Sequence, residues 1–244
     1  MKKLLGEYIL FIDSDDYIEP NMLDKLYSSA KLHNSDLVIC DYYEVYNDNK
    51  KTIKSLINYS NDMTKNYMLA NASPWNKLIK TNILKQNNIK FLEKHIYEDL
   101  ATMPILAGYI NTISYVEEPL YDYIIRPGST MRQATYNKKL DSIFVAIKHL
   151  ENEFKNRNLF EKYKDEIEFL NIYHLLYAAS GRFLEYPEGK QKIKEIIKII
   201  KNNYPNWKKN KYYKQQNNKI KITCNLFYYN IFINLYTHLR KLKR

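Results

Sequence analysis

The chain is poor in the residues that several chemistries require. Its five glycines form no cluster, so no glycine-rich loop is available to cradle a phosphate on backbone amides. Its two cysteines, Cys40 and Cys224, lack motif spacing. That excludes a disulfide framework or a zinc-thiolate site and fits a reducing compartment. His33, His95, His149, His174 and His238 are scattered, so a histidine-bound metal is not expected. No serine sits in a nucleophile-elbow motif, and no internal repeat is visible. Met1-Lys2-Lys3-Leu4-Leu5 is basic, but the apolar stretch after it ends in Asp13-Ser14-Asp15-Asp16. It does not read as a secretory signal.

What is present is apolar, aromatic and basic. The 244 residues are 45% hydrophobic, enough to bury a core in one large domain or one domain with an appendage. An aromatic share of 14% argues against disorder. The net charge of +11 suits nucleic acid, anionic lipid or phosphorylated substrates. Much of the basic excess falls between Glu185 and Arg244, while the N-terminal part is closer to balanced. Charge alone would permit nucleic-acid binding. The acidic motif near the N-terminus argues against it, and no nucleic-acid partner is expected.

That motif follows Tyr8-Ile9-Leu10-Phe11-Ile12, an apolar run that reads as a strand buried on both faces. Ligands of open α/β sheets bind beyond the carboxyl ends of such strands. Here that end carries Asp13, Asp15 and Asp16. Three anions so close repel one another unless a cation or proton compensates, and hard oxygen ligands suit Mg²⁺ or Mn²⁺. The alternative is a turn and N-cap cluster before a helix opened by Pro20.

Further along, Leu37-Val38-Ile39-Cys40 reads as a second buried strand continued by Tyr42 to Tyr46. Residues 47–65 read as a loop with a short strand. Helices are expected from Ile79, ending near Gln86-Asn87-Asn88, and from Leu100 to Leu106, the latter kinked by Pro104. Ile113–Val116 and Leu120–Ile125 read as strands. Leu140, Ile143, Phe144, Ile147, Leu150 and Phe154 then form one helical stripe. Helical patterns at 163–184 and 190–200 follow, separated by Tyr186-Pro187-Glu188-Gly189. From Ile222 to Leu239 no charged residue appears. Length would permit a marginal membrane span. The polar stripe Asn230, Asn234, Thr237 and Lys241, opposite Leu226, Phe227, Ile231, Phe232 and Leu235, favours a helix in the membrane interface. Packing on the protein's own core is the other reading.

Three segments carry a family resemblance. Gly6-Glu7-Tyr8-Ile9 with Phe11-Ile12-Asp13-Ser14-Asp15-Asp16 resembles the DxD region of family 2 glycosyltransferases, which have the GT-A fold. Pro74-Trp75-Asn76-Lys77-Leu78, Ile89-Lys90-Phe91 and Tyr97-Glu98-Asp99-Leu100 resemble the acceptor side of those enzymes. Pro119-Leu120-Tyr121-Asp122-Tyr123 with Arg126-Pro127-Gly128-Ser129-Thr130-Met131 resembles the end of their catalytic domain. The resemblance covers roughly residues 5–135.

It implies an α/β protein: an incomplete GT-A, Rossmann-like domain at 1–135, a helical region at 136–218 and a basic membrane-interface helix at 219–244. It implies transfer from a nucleotide-diphospho-sugar to a glycan or lipid-linked glycan acceptor, with inversion, in bacterial surface polysaccharide synthesis. Asp15 is the expected direct ligand of Mn²⁺ or Mg²⁺. Asp13 assists at the metal and donor, and Asp16 joins the metal group or orients the loop. Asp99 is the expected general base with Glu98 as its partner, unless it is an ordinary helix cap. Trp75, Asn76 and Lys77 are acceptor-side candidates, with a core role open for Trp75. Arg126, Ser129, Thr130 and Arg132 are candidates for closing over the diphosphate, or belong to a solvated loop. Relatives of this kind place a nucleotide-binding half before the DxD strand, here only seven residues from Met1. The expectation is a fragment, a remnant, or one half of a split enzyme whose partner chain supplies that half. The isolated chain is then expected to be inactive. The implied setting is the cytoplasm, at the inner face of the membrane.

Overall fold

The computed structural model describes residues 5–47, 49–126 and 136–232. Six strands form one mixed sheet: β1 (Tyr8–Leu10), β2 (Tyr17–Ile18), β3 (Leu37–Tyr46), β4 (Asn49–Ile53), β5 (Lys77–Lys80) and β6 (Ile113–Ile124). Their order is β1-β5-β3-β6-β2, with β4 hairpinned onto β3. Only β3 and β6 run parallel. In β3, Leu37 and Ile39 enter one core cluster while Val38 and Cys40 enter another. This alternation buries both faces of the strand, which is why its sequence reads as a continuous apolar run.

β1 departs from the expectation of a strand buried on both faces. It pairs only with β5, antiparallel, and its three residues are half-buried. A strand at the end of a sheet lacks one neighbour, and its apolar run is covered on one side only.

β1 and β2 lie at opposite ends of the sheet, although only residues 11–16 separate them. Seven extended Cα steps reach about 24 Å. Four strand spacings amount to about 19 Å. A fully extended segment would barely cross a flat sheet, and this one uses residues 13–16 for a turn closed by the Asp16 amide on the Asp13 carbonyl at 3.3 Å. The sheet therefore curls, and the acidic segment is held against β6.

Helix α1 (Met22–His33) covers one face through Met22, Leu26 and Ala30. Short helices α2 (Met63–Met68), α3 (Thr81–Gln86) and α4 (Glu98–Thr102) follow. The helix expected from Ile79 begins two residues later, because Ile79 and Lys80 complete β5, and ends at Gln86. The expected 100–106 helix is α4 followed by a 3₁₀ turn, Met103–Gly108, with Pro104 in its first positions. There proline's missing N–H costs nothing. The two strands expected near 113–125 are one strand with a bulge opposite Cys40–Tyr42.

The C-terminal half is helical: α5 (Ser142–Asn156), α6 (Phe160–Asn171), a π-helix at Ile172–Ala179, α7 (Ser180–Leu184), α8 (Gly189–Asn203), α9 (Lys211–Lys214) and α10 (Asn218–Tyr228). A Cβ on Gly189 would lie 1.7 Å from the Phe183 carbonyl oxygen, so the α7–α8 turn needs glycine there. The helices share core with the sheet. Leu150, Phe154, Tyr163, Ile167 and Leu170 pack with Leu37, Ile39 and Ile79.

The proposed interface helix at 219–244 is revised in its described part. α10 ends at Tyr228, and Ile220, Cys224 and Phe227 bury into the helical core. Asn230, at φ 60°, breaks the helical path. Among the described residues no helix is long and apolar enough to cross a membrane. Residues 233–244 lie outside the described residues.

Candidate active site

The acidic turn is tied to the sheet by one tyrosine. The Tyr121 hydroxyl donates to Asp16 Oδ2 (2.8 Å) and accepts from the Asp13 amide (3.2 Å). Asp16 Oδ1 accepts from the Ile124 amide at 2.9 Å. Both Asp16 oxygens thus hydrogen-bond to β6, which anchors the loop through this residue. Asp13 and Asp15 remain exposed. The Arg126 guanidinium donates to the Asp15 carbonyl oxygen at 2.5 Å, so β6 delivers a cation to the same turn. Ser129, Thr130 and Arg132 lie outside the described residues.

Desolvation raises the Asp13 carboxyl above its ordinary value, and the charges of Asp16, Asp15, Asp99 and Glu98 raise it further. All four neighbours are acids. Glu98 and Asp99 thus lie within electrostatic reach of Asp13, although 83 positions separate Glu98 from Asp15 in sequence.

Asp99 sits in the first turn of α4, entered through Tyr97 at φ 67°, a left-handed geometry costly for tyrosine. The Tyr97 hydroxyl accepts from Arg182 of α7 at 2.5 Å, and Leu100 is buried in the helical core. The helical half thus fixes the backbone carrying Asp99. Its Oδ1 accepts from the Leu100 amide at 2.7 Å. Burial raises its carboxyl, while the Leu100 amide and the charge of Lys77 pull it back. Asp99 also lines a cavity of about 590 Å³ between the sheet and the helices. Glu98 points to solvent.

The acceptor-side candidates Trp75, Asn76 and Lys77 lie in the core instead of on a substrate-facing surface. Trp75, 4% exposed, stacks on Tyr121 at 4.3 Å and on Tyr123 at 5.7 Å. Its ring buttresses the tyrosine that holds the acidic turn. Asn76 donates to the Cys40 carbonyl and the Ser55 hydroxyl, both at 2.8 Å. The Lys77 ammonium donates to Asn71 O, Ser73 O and Asn76 Oδ1 at 2.7–2.8 Å. Those three bonds use every proton it has. Burial pushes it down to about 7, against the pull of Cys40 and Asp99. No phosphate can reach it. Its charge acts on Asp99 instead.

Sequence reading missed the Tyr121 anchor and the Tyr97–Arg182 bond. A tyrosine inside a strand signals only packing, and Tyr97 and Arg182 are 85 positions apart. Among the described residues no cluster of three or more His, Cys, Asp or Glu could by itself hold a metal ion. Asp13 and Asp15 offer two hard carboxylates, a donor set that fits Mg²⁺ or Mn²⁺ when a ligand such as a diphosphate supplies further oxygens.

Residues 1–95 match the model of "Glycosyl transferase family 2". "Putative glycosyltransferase EpsH" of Bacillus subtilis is 30% identical over 69% of this chain and 52% of its own length. "Cholesterol galactosyltransferase" of Borreliella burgdorferi is 26% identical over 80% of this chain and 61% of its own. The chain thus spans about half to three fifths of these curated relatives. The crystal structure of S. aureus TarS in complex with UDP shares the fold, with a TM-score of 0.52 at 21% identity, covering 86% of this chain and 65% of that one. The acidic turn follows an edge strand of a GT-A sheet, and the chain belongs to glycosyl transferase family 2.

Proposed function

We propose that the chain carries the metal turn and the acceptor side of an inverting glycosyltransferase. The donor is a nucleotide-diphospho-sugar, and the acceptor is a glycan or lipid-linked glycan hydroxyl in bacterial surface polysaccharide synthesis. The observation that supports this reading is that Asp99, which lines a cavity, lies within electrostatic reach of Asp13 in the acidic turn. Glycosyl transfer needs a stabilised leaving diphosphate and a deprotonated acceptor. The two groups divide those tasks.

Asp99 accepts the proton of the acceptor hydroxyl. The oxygen then bonds the anomeric carbon from the face opposite the leaving group, the bond to the diphosphate breaks, and the anomeric configuration inverts. Lys77 keeps Asp99 more acidic than burial alone would leave it. Arg126, with Ser129, Thr130 and Arg132, binds the diphosphate. Asp15, assisted by Asp13, holds Mn²⁺ or Mg²⁺, which when bound neutralises charge on the departing diphosphate. The names of the relatives, two transferases and a UDP complex, support the donor class. The inner membrane face is the proposed setting. A groove lined by Lys194, Lys198 and Lys201, beside exposed Tyr229 and Ile231, supports it.

The test is sugar transfer from a panel of nucleotide sugars with Mn²⁺, on this chain and on a form extended at its N-terminus. Transfer that Asp99→Asn abolishes is the expected result. A form that transfers at full rate with Asn at 99 would overturn the assignment.

A further inference from the structure

Backbone strain marks the chain just before Asp99. Among the described residues, positive φ outside glycine falls on Asn34, Asn47, Asn88, Asn158 and Asn230, on Lys94 and on Tyr97. Asparagine tolerates the left-handed region, whereas a bulky ring there is an outlier that surrounding structure must sustain. Tyr97 is that outlier, at φ 67° and ψ 25°, and its side chain does not cap the helix it opens. Its carbonyl oxygen accepts from the Ala101 amide at 3.0 Å. The turn that aims Asp99 therefore starts from a strained residue.

What sustains the strain comes from the helical half. The Tyr97 ring packs on the helical core, and its hydroxyl accepts from Arg182 at 2.5 Å. Burial raises the Tyr97 hydroxyl, and the Arg182 charge opposes that rise. Arg182, Tyr97 and Asp99 line one cavity. Yet the Lys77 ammonium, not the Arg182 guanidinium, is the cation that acts on the Asp99 carboxyl. Arg182 reaches Asp99 through the backbone of Tyr97 instead of through its field.

The π-helix at Ile172–Ala179 accounts for how the two groups meet. A π-turn closes through one residue more than an α-turn, as where the Ser180 amide bonds the Leu175 carbonyl. One added residue rotates every later side chain by roughly 100° about the axis. The Ser180 hydroxyl donates to the same carbonyl at 3.0 Å and pins the widened turn. Arg182 lies two residues beyond, in α7, so that turn sets its phase toward Tyr97.

We infer that Arg182 is a positioning residue: its bond to Tyr97 clasps the left-handed turn and fixes the direction in which the Asp99 carboxylate is presented. The consequence for turnover rests on the proposed transfer reaction. The hold on the carboxylate does not.

The test therefore begins without turnover, on the full chain. Tyr97→Phe keeps the ring and removes the hydroxyl, and Arg182→Met removes the donor. Two signals are followed by NMR: exchange of the Leu100 and Ala101 amides, and titration of the ¹³C-labelled Asp99 carboxyl, assigned by its loss in Asp99→Asn. Each variant should speed exchange at both amides at least about tenfold. Each should also bring the Asp99 titration down toward the ordinary carboxylate range, because the loosened turn hydrates a carboxyl that burial holds up. The double variant should go no further than either single one, since both break one bond. In a form that transfers, each should lower kcat by about 10–10²-fold with the donor KM nearly unchanged. Exchange and titration that stay put in both variants would overturn the inference, even if the unfolding midpoint falls, because packing alone would then be lost. Effects that simply add in the double variant would overturn it too. A shifted Asp99 titration with undiminished turnover would count against Asp99 as the base and leave the clasp standing.

Discussion

The acidic turn and the start of α4 carry the same chemical group in opposite surroundings. Asp13 has only acids among the charges acting on it, so each neighbour makes its ionisation harder. Asp99 has a backbone amide and a buried ammonium, so its neighbours favour the charged form that burial opposes. The first arrangement would be relieved by a cation. The second is partly compensated and keeps a partly desolvated carboxylate. The contrast supports the two proposed roles without reference to position in the sequence.

Removing the base should sharpen the contrast most. In a form that shows transfer, Asp99→Asn is expected to lower turnover by about 10²–10⁴-fold, with donor affinity nearly unchanged. Turnover within a few-fold of the parent would make Glu98 the next candidate. The acid limb of the rate profile should lie above the ordinary carboxylate range, because the Asp99 carboxyl is raised and loses its charge as pH falls through that raised value. A limb in the ordinary range would break the comparison.

Lys77→Met tests the compensation itself. It strands the Asn71 and Ser73 carbonyls and Asn76 Oδ1. Unpaired buried acceptors cost about 1–3 kcal/mol each, so a loss of at least about 2 kcal/mol is expected in urea unfolding. With the ammonium gone, the acid limb should move further upward. A limb that stays put would show that Lys77 serves packing alone.

Tyr121→Phe should have the smallest effect. It removes the hydroxyl that serves both Asp16 and the Asp13 amide and is expected to cost about 1–2 kcal/mol. Mn²⁺ affinity should weaken while Asp99-dependent steps are spared. Equal loss at both sites would mean that the turn and α4 are one mechanical unit.

The sequence showed some of this and hid the rest for physical reasons. The β3 run and the α5 stripe were legible because their periods state which face is buried. The antiparallel pairing of β1 with β5 was not, since an apolar run does not reveal which strand it pairs with. Trp75-Asn76-Lys77 was legible as a motif, with a core role open for Trp75 but not read for Asn76 or Lys77. Nothing local shows that the ammonium's three acceptors include carbonyls four and six residues upstream. Tyr121 and Arg182 act across more than 80 positions, beyond the reach of any local pattern. The π-helix gave no signal, since residues 163–184 read as one continuous helix.

The most direct test of the division of labour is calorimetric titration of Mn²⁺ into the chain with a nucleoside diphosphate present, comparing the parent, Asp15→Ala and Asp99→Asn. Binding in the parent and in Asp99→Asn, with loss in Asp15→Ala, is the predicted result. Unchanged binding in Asp15→Ala, or its loss in Asp99→Asn, would contradict the assignment of the cation to the turn and the proton to α4.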